Sequence, residues 1–116
     1  MPELPEVETT RRGIAPLLEG RRVRELIVRR RQLRWPVPRG IEARFAGAEV
    51  LAVGRRAKYL LLTLTRGTAL IHLGMSGSLR VAAAGETAGK HDHFDLLTAA
   101  GRCIRFNDPR RFGCLL

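Results

Sequence analysis

Residues 58–73 read KYLLLTLTRGTALIHL. The apolar run from Tyr59 to Leu64 is strand-sized, so residues 58–65 are predicted as a strand, Arg66-Gly67 as a hairpin turn and residues 69–73 as the returning strand. Working outward, the same pattern of short strands recurs. Residues 23–29 alternate, with Val23, Glu25 and Ile27 set against Arg24, Leu26 and Val28. Residues 50–53 and 78–82 read as further strands, and residues 94–98 and 102–106 form a second hairpin across Ala99, Ala100 and Gly101. Two stretches are helical: residues 5–18, with Val7, Ile14 and Leu17 or Leu18 on one face and Gly20 closing it, and residues 41–46 before Gly47. Pro16 is expected to kink or shorten the last turn of the first. The fold class is therefore mainly β (α+β): an antiparallel β-sandwich flanked by an N-terminal helix and a second short helix. Residues 1–116 read as a single domain without internal repeats.

Charge points to the partner. The chain has 21 Lys+Arg against 11 Asp+Glu, a net charge of +10, and all its basic residues except Lys58 and Lys90 are arginine. Arginine presents a planar fork that suits phosphates and base edges better than an ammonium does. A polyanion is the first partner to consider, nucleic acid ahead of a membrane surface, against the plainer reading of a solvated basic face. No stretch has the length of a spanning segment or the pattern of a signal peptide. Cys103 and Cys114 lack paired spacing and read as free thiols of a reducing cytoplasm.

The N-terminus, MPELPEVE, repeats Pro-Glu within its first six residues. Pro5 suits a first helical turn, and Glu6 and Glu8 sit near the positive end of the helix dipole. Pro2 lies too close to the end for either role. A small second residue normally lets the methionine be trimmed, which would expose a secondary amine. An α-amino group titrates at roughly 8, and a following helix N-terminus lowers that value. Condensed with an aldehyde-like carbon, such an amine gives an iminium that cannot lose its charge by deprotonation and so serves as an electron sink. Glu3 is the adjacent carboxyl able to deliver or collect a proton. The same residues also read as an ordinary polar start to a surface segment.

Four further sites stand out. Lys58, alone among arginines in RRAKYLLL, stands at the mouth of an apolar run and suits acid/base work or the grip of one phosphate; the alternative is a solvated strand-end lysine. In HLGMSGSL, Gly74 and Gly77 imply a tight bend beside His72, and Met75 is either core filler or an apolar side chain pushed into a base stack. KHDHFD places His91 and His93 two apart, pointing to one face of a strand, where with Asp95 they could hold a metal. The set lacks a further strong ligand, so no metal site is expected, and phosphate contact or plain exposure fits better. In NDPRRFG, Asp108-Pro109 opens a turn from which Arg110 and Phe112 could enter a groove together, one on a base edge and one wedging a step; the alternative is a basic loop with one buried phenylalanine.

Together MPELPEVETTRRG, LRWP, RRAKYLLL, HLGMSGSL, KHDH and DPRRFG resemble, in order and spacing, the N-terminal domain of bacterial formamidopyrimidine-DNA glycosylases. Relatives of endonuclease VIII usually open with glycine in place of Leu4 and lack DPRRF, so the chain resembles the first group. The resemblance implies a bifunctional DNA glycosylase and AP lyase that removes oxidised purines (8-oxoguanine and formamidopyrimidines) from double-stranded DNA. It assigns the Schiff-base nucleophile to Pro2, the acid/base to Glu3, and proton donation and phosphate holding to Lys58 with His72. It assigns gap filling to Met75, Arg110 and Phe112, with Arg110 facing the estranged cytosine, and a backbone contact to His91. The helix–two-turn–helix and zinc-finger parts of the family are absent from residues 1–116. No cofactor is therefore expected here, the one structural zinc belonging to that finger. The absent half also supplies much of the DNA clamp and the arginine of δ-elimination, so residues 1–116 alone are expected to bind weakly and turn over slowly. A monomer acting at the bacterial nucleoid in the cytoplasm is expected. Two other classes remain: a non-catalytic damaged-DNA-binding β-domain, and an N-terminal-proline tautomerase.

Overall fold

The computed structural model describes residues 4–116 apart from 75, 76, 84 and 112, and the main chain only at Leu4. Helix α1 (Leu4–Leu18) is followed by strand β1 (Val23–Val28), helix α2 (Ile41–Phe45) and strands β2 (Val50–Arg56), β3 (Tyr59–Leu64), β4 (Gly67–His72), β5 (Ser78–Ala82), β6 (Asp92–Thr98), β7 (Cys103–Asn107) and β8 (Cys114–Leu115). The strands make two four-stranded antiparallel sheets, in the orders β1-β6-β7-β5 and β2-β3-β4-β8. This is the β-sandwich expected from the sequence, with α1 along its flank.

The pleat explains the core. Leu60, Leu62 and Leu64 alternate inward along β3, facing Phe94 and Leu96 of β6 and Ile104 and Phe106 of β7, all buried. Phe94 and Phe106 stack across the β6–β7 pair with ring centroids 4.9 Å apart. Helix α1 buries Val7, Ile14, Ala15 and Leu18, the stripe its spacing implied. Pro16 does not end the helix; it lies exposed within the last turn, and the helix runs on to Leu18.

The alternation predicted for β1 is corrected. A bulge between Val23 and Glu25 adds one residue, so Val23 and Leu26 both face inward while Glu25 is exposed. Strand β2 carries the same device between Val50 and Ala52, with Val50 and Val53 inward. These two strand starts form the corner where the sheets meet, through Val23 N–H to Ala48 O (2.7 Å), Val50 N–H to Arg21 O (2.9 Å) and the Arg22–Glu49 bridge. Strand β2 also runs three residues past the expected end, to Arg56. The first hairpin turns at Thr65-Arg66, and Gly67 already pairs with Leu64. The two-residue strand β8 had no counterpart in the sequence reading.

Candidate functional site

Lys58 does not lie within a strand. It sits in the two-residue turn between β2 and β3, closed by the Arg56–Tyr59 pair, with Ala57 at a φ of 51°. Arg55 braces this turn: its guanidinium donates to Ala57 O (2.9 Å) and reaches the Glu8 carboxylate (3.3 Å). Glu8 also accepts from Arg11 and Arg12 at 2.6–2.9 Å. The guanidinium of Arg11, joined by those of Arg12 and Arg55, holds the Glu8 carboxyl down at about 2. The second turn of α1 is thereby fixed against the hairpin that carries Lys58.

His72 stands opposite Tyr59 at the end of β4, the two rings meeting edge to face at 4.9 Å. Its Nδ1 accepts the Gly74 N–H at 3.1 Å, which requires that nitrogen to be unprotonated. Burial, reinforced by the nearby charges of Arg34 and Lys58, lowers its pKa below the ordinary histidine value. The imidazole is therefore neutral at pH 7, with Nε2 left as its N–H donor.

The NDPRRFG turn is held by Asp108, which is fully buried. One carboxylate oxygen accepts the Arg110 N–H (3.3 Å) and the other the Gly113 N–H (2.8 Å). Its main chain is tied to the KHDH segment: Asp108 N–H donates to His91 O (3.0 Å), and Asp108 O meets His93 Nε2 at 2.7 Å. Gly113 lies so close to β4 that a Cβ there would stand 2.5 Å from His72 O and 2.7 Å from the Phe106 ring. Arg110 and Arg111 are exposed on the turn, Arg111 at a φ of 58°.

Lys58, His72 and the Arg110 turn thus gather at one edge of the sandwich. His91 joins them through its carbonyl bond to Asp108. It precedes β6 rather than sharing a strand face with His93, which is buried and committed to Asp108. Asp95 is spent on two arginines, Arg29 (2.8 Å) and the buried Arg105 (2.9 and 3.0 Å). Among the described residues no cluster of His, Cys, Asp and Glu is arranged to hold a metal. Pro2, Glu3, Met75 and Phe112 lie outside the described residues. Sequence reasoning missed Arg34, whose N–H donates to Gly113 O (3.1 Å) and whose charge reaches His72. It also took Asp108 only as a turn opener; the Gly five residues on was the available sign of a capped loop. No described helix is long and apolar enough to cross a membrane.

The formamidopyrimidine-DNA glycosylase N-terminal domain family matches residues 1–115. The chain is 58% identical over its whole length to formamidopyrimidine-DNA glycosylase of Pseudomonas aeruginosa (strain LESB58), and 59% identical over 113 residues to that of Nitrosococcus oceani. It spans 43% and 42% of those proteins, respectively. Among solved structures, the Lactococcus lactis enzyme bound to abasic-site DNA superimposes with a TM-score of 0.87 at 28% identity, covering 99% of this chain and 44% of that one. The same enzyme bound to DNA containing FAPY-dG gives a TM-score of 0.87 at 27% identity, over 97% of this chain and 43% of that one. The sequence and fold matches each cover nearly the whole chain, and the chain belongs to the formamidopyrimidine-DNA glycosylase family, matched through its N-terminal domain.

Proposed function

We propose that this chain provides the catalytic domain of a bifunctional DNA glycosylase and AP lyase acting in base-excision repair on oxidised purines in duplex DNA. The target nucleotide must leave the stack before its glycosidic bond can be attacked. The Pro2 amine, freed of Met1, then donates its lone pair to C1′, and the glycosidic electrons leave with the base, which takes up a proton. Opening of the sugar gives the iminium, whose positive nitrogen draws electrons from the C1′–C2′ side when a C2′ proton is removed, expelling the 3′-phosphate; δ-elimination expels the 5′-phosphate. Glu3 serves the sugar opening as acid/base. Lys58 donates a proton during β-elimination and, with His72, holds the phosphate of the extruded nucleotide. Met75, Arg110 and Phe112 occupy the vacated stack, Arg110 facing the estranged cytosine, and His91 contacts the backbone. These residues need no metal or cofactor; a structural zinc belongs to the zinc finger that the family resemblance implies elsewhere. Residues 1–116 alone are expected to be weak binders with slow turnover, monomeric, and at work on the nucleoid in the bacterial cytoplasm.

The observation that best supports this reading is the convergence of Lys58, a neutral buried His72 and the Asp108-braced Arg110 turn on one edge of a chain of net charge +10. Borohydride trapping with abasic-site duplex tests it. Protein lacking Met1 is expected to yield a covalent adduct, and protein retaining Met1 none. Met1-free protein that binds the duplex yet traps nothing would be a non-catalytic damaged-DNA-binding β-domain.

A further inference from the structure

The loop of residues 29–40, between β1 and α2, carries the chain's single tryptophan, Trp35. Its two ends are firmly anchored. Leu33 and Val37 are buried, and both of their N–H groups donate to Arg31 O, at 3.1 and 2.8 Å. Arg31 itself grips the Glu42 carboxylate of α2 with both terminal nitrogens, at 2.5 and 3.0 Å, and donates to Pro38 O at 2.9 Å. A bridge between Gln32 and Pro36 closes the tip. Between the anchors Arg34, Trp35 and Pro36 all face solvent, and the indole is 54% exposed. A large aromatic on a tip this well fixed is costly to leave in water, and it loses little side-chain freedom on meeting a flat partner.

The tip also lies on the proposed DNA face. Arg34 N–H donates to Gly113 O in the braced turn, and its charge reaches His72. Arg29 and Arg30 N–H both donate to His93 O, at 2.8 and 3.2 Å. Arg30 and Arg34 are exposed and make no ion pair with the described residues. An exposed aromatic flanked by unneutralised arginines, continuous with a phosphate-holding edge, matches a strand of nucleic acid: cations for phosphates, a ring for a base face.

Resting on the reading of the domain as DNA-binding, we propose that Arg30, Arg34 and Trp35 form an additional DNA contact, in which the indole stacks on a base displaced from the duplex stack and the two arginines take flanking phosphates. An acidic protein surface would satisfy the arginines but gives the indole no base to stack on.

Because Trp35 is the only tryptophan, its emission reports on this contact alone. Dye-labelled oligonucleotides are titrated with protein while DNA anisotropy and tryptophan emission are followed together. Single-stranded DNA and abasic duplex are expected to quench the emission in step with binding, and intact duplex to quench it less. Trp35→Ala is expected to weaken binding of these probes about tenfold with the salt slope unchanged, and Trp35→Phe to recover part of that loss. Arg34→Ala is expected to reduce the salt slope by about one. Binding with unquenched emission, or full affinity in Trp35→Ala, overturns this contact and leaves the DNA-binding reading standing. No anisotropy change with any DNA overturns both.

Discussion

Replacing Asp108 would test how the turn that bears Arg110 is held. The side chain is fully buried, and its two oxygens accept the Arg110 and Gly113 N–H groups at 3.3 and 2.8 Å. Gly113 is itself buried, so in Asp108→Ala its N–H loses a charged acceptor that water cannot replace, whereas Arg110 is exposed and water can serve it. A buried donor left without a partner costs about 1–3 kcal/mol, so a loss of about 2–3 kcal/mol is expected. Asp108→Asn keeps a carbonyl oxygen for Gly113 but turns an amide N–H against that of Arg110, for a loss of about 1 kcal/mol. With a urea m-value of about 2 kcal/mol per M, the midpoints should fall by about 1–1.5 M for Ala and about 0.5 M for Asn. Urea unfolding followed by circular dichroism gives both numbers, and hydrogen exchange at the Gly113 amide reports the local event. An Asp108→Ala protein with an unchanged midpoint and a protected Gly113 amide would refute the capping role.

Three further outcomes are expected. Gly113→Ala places a methyl 2.5 Å from His72 O, a backbone atom that cannot swing aside, so overpacking of about 1–3 kcal/mol should lower the urea midpoint. The His72 imidazole has a pKa lowered by burial and by the charges of Arg34 and Lys58. Its unfolded form binds the proton more readily, so stability should fall as pH drops below about 6.5, and Arg34→Ala should raise the His72 titration midpoint seen by NMR. Glu8, held at about 2 by Arg11, Arg12 and Arg55, contributes stability that is full above its unfolded value of 4.5 and lost as pH falls through about 2. Urea midpoints at pH 5 and 3 should therefore drop more in the native protein than in Glu8→Gln.

The parts of the fold written in local periodicity were legible. The β3–β4 hairpin follows from an apolar run broken once, and α1 from the spacing of Val7, Ile14 and Leu18. Features that depend on partners were not. The bulges in β1 and β2 add a residue whose only sign is two inward apolar side chains three apart, as in Val23 and Leu26. Strand β8 owes its two residues to pairing with Ile71 and His72, not to any local preference. The turn at Ala57-Lys58 lacks the glycine or asparagine that normally marks a positive φ, so Lys58 read as part of the strand. Arg105 and Asp95 look like solvated charges in their strands, yet they form a buried pair at 2.9 Å. For the site, residue types and spacings suggested Lys58, His72, His91 and Arg110. Their gathering through Asp108 and Arg34 is tertiary and invisible along the chain.

The most direct test of the proposed chemistry is to locate the adduct trapped by borohydride on abasic-site DNA, by proteolysis and mass spectrometry of the cross-linked protein. Lys58 and Lys90 are the only side-chain amines, and Lys58 lies on the same edge as the proposed site, so position discriminates sharply. An adduct on Pro2, formed only by protein that has lost Met1, is the expected result. An adduct on Lys58, or one that forms equally with Met1 in place, would contradict the N-terminal amine as the nucleophile.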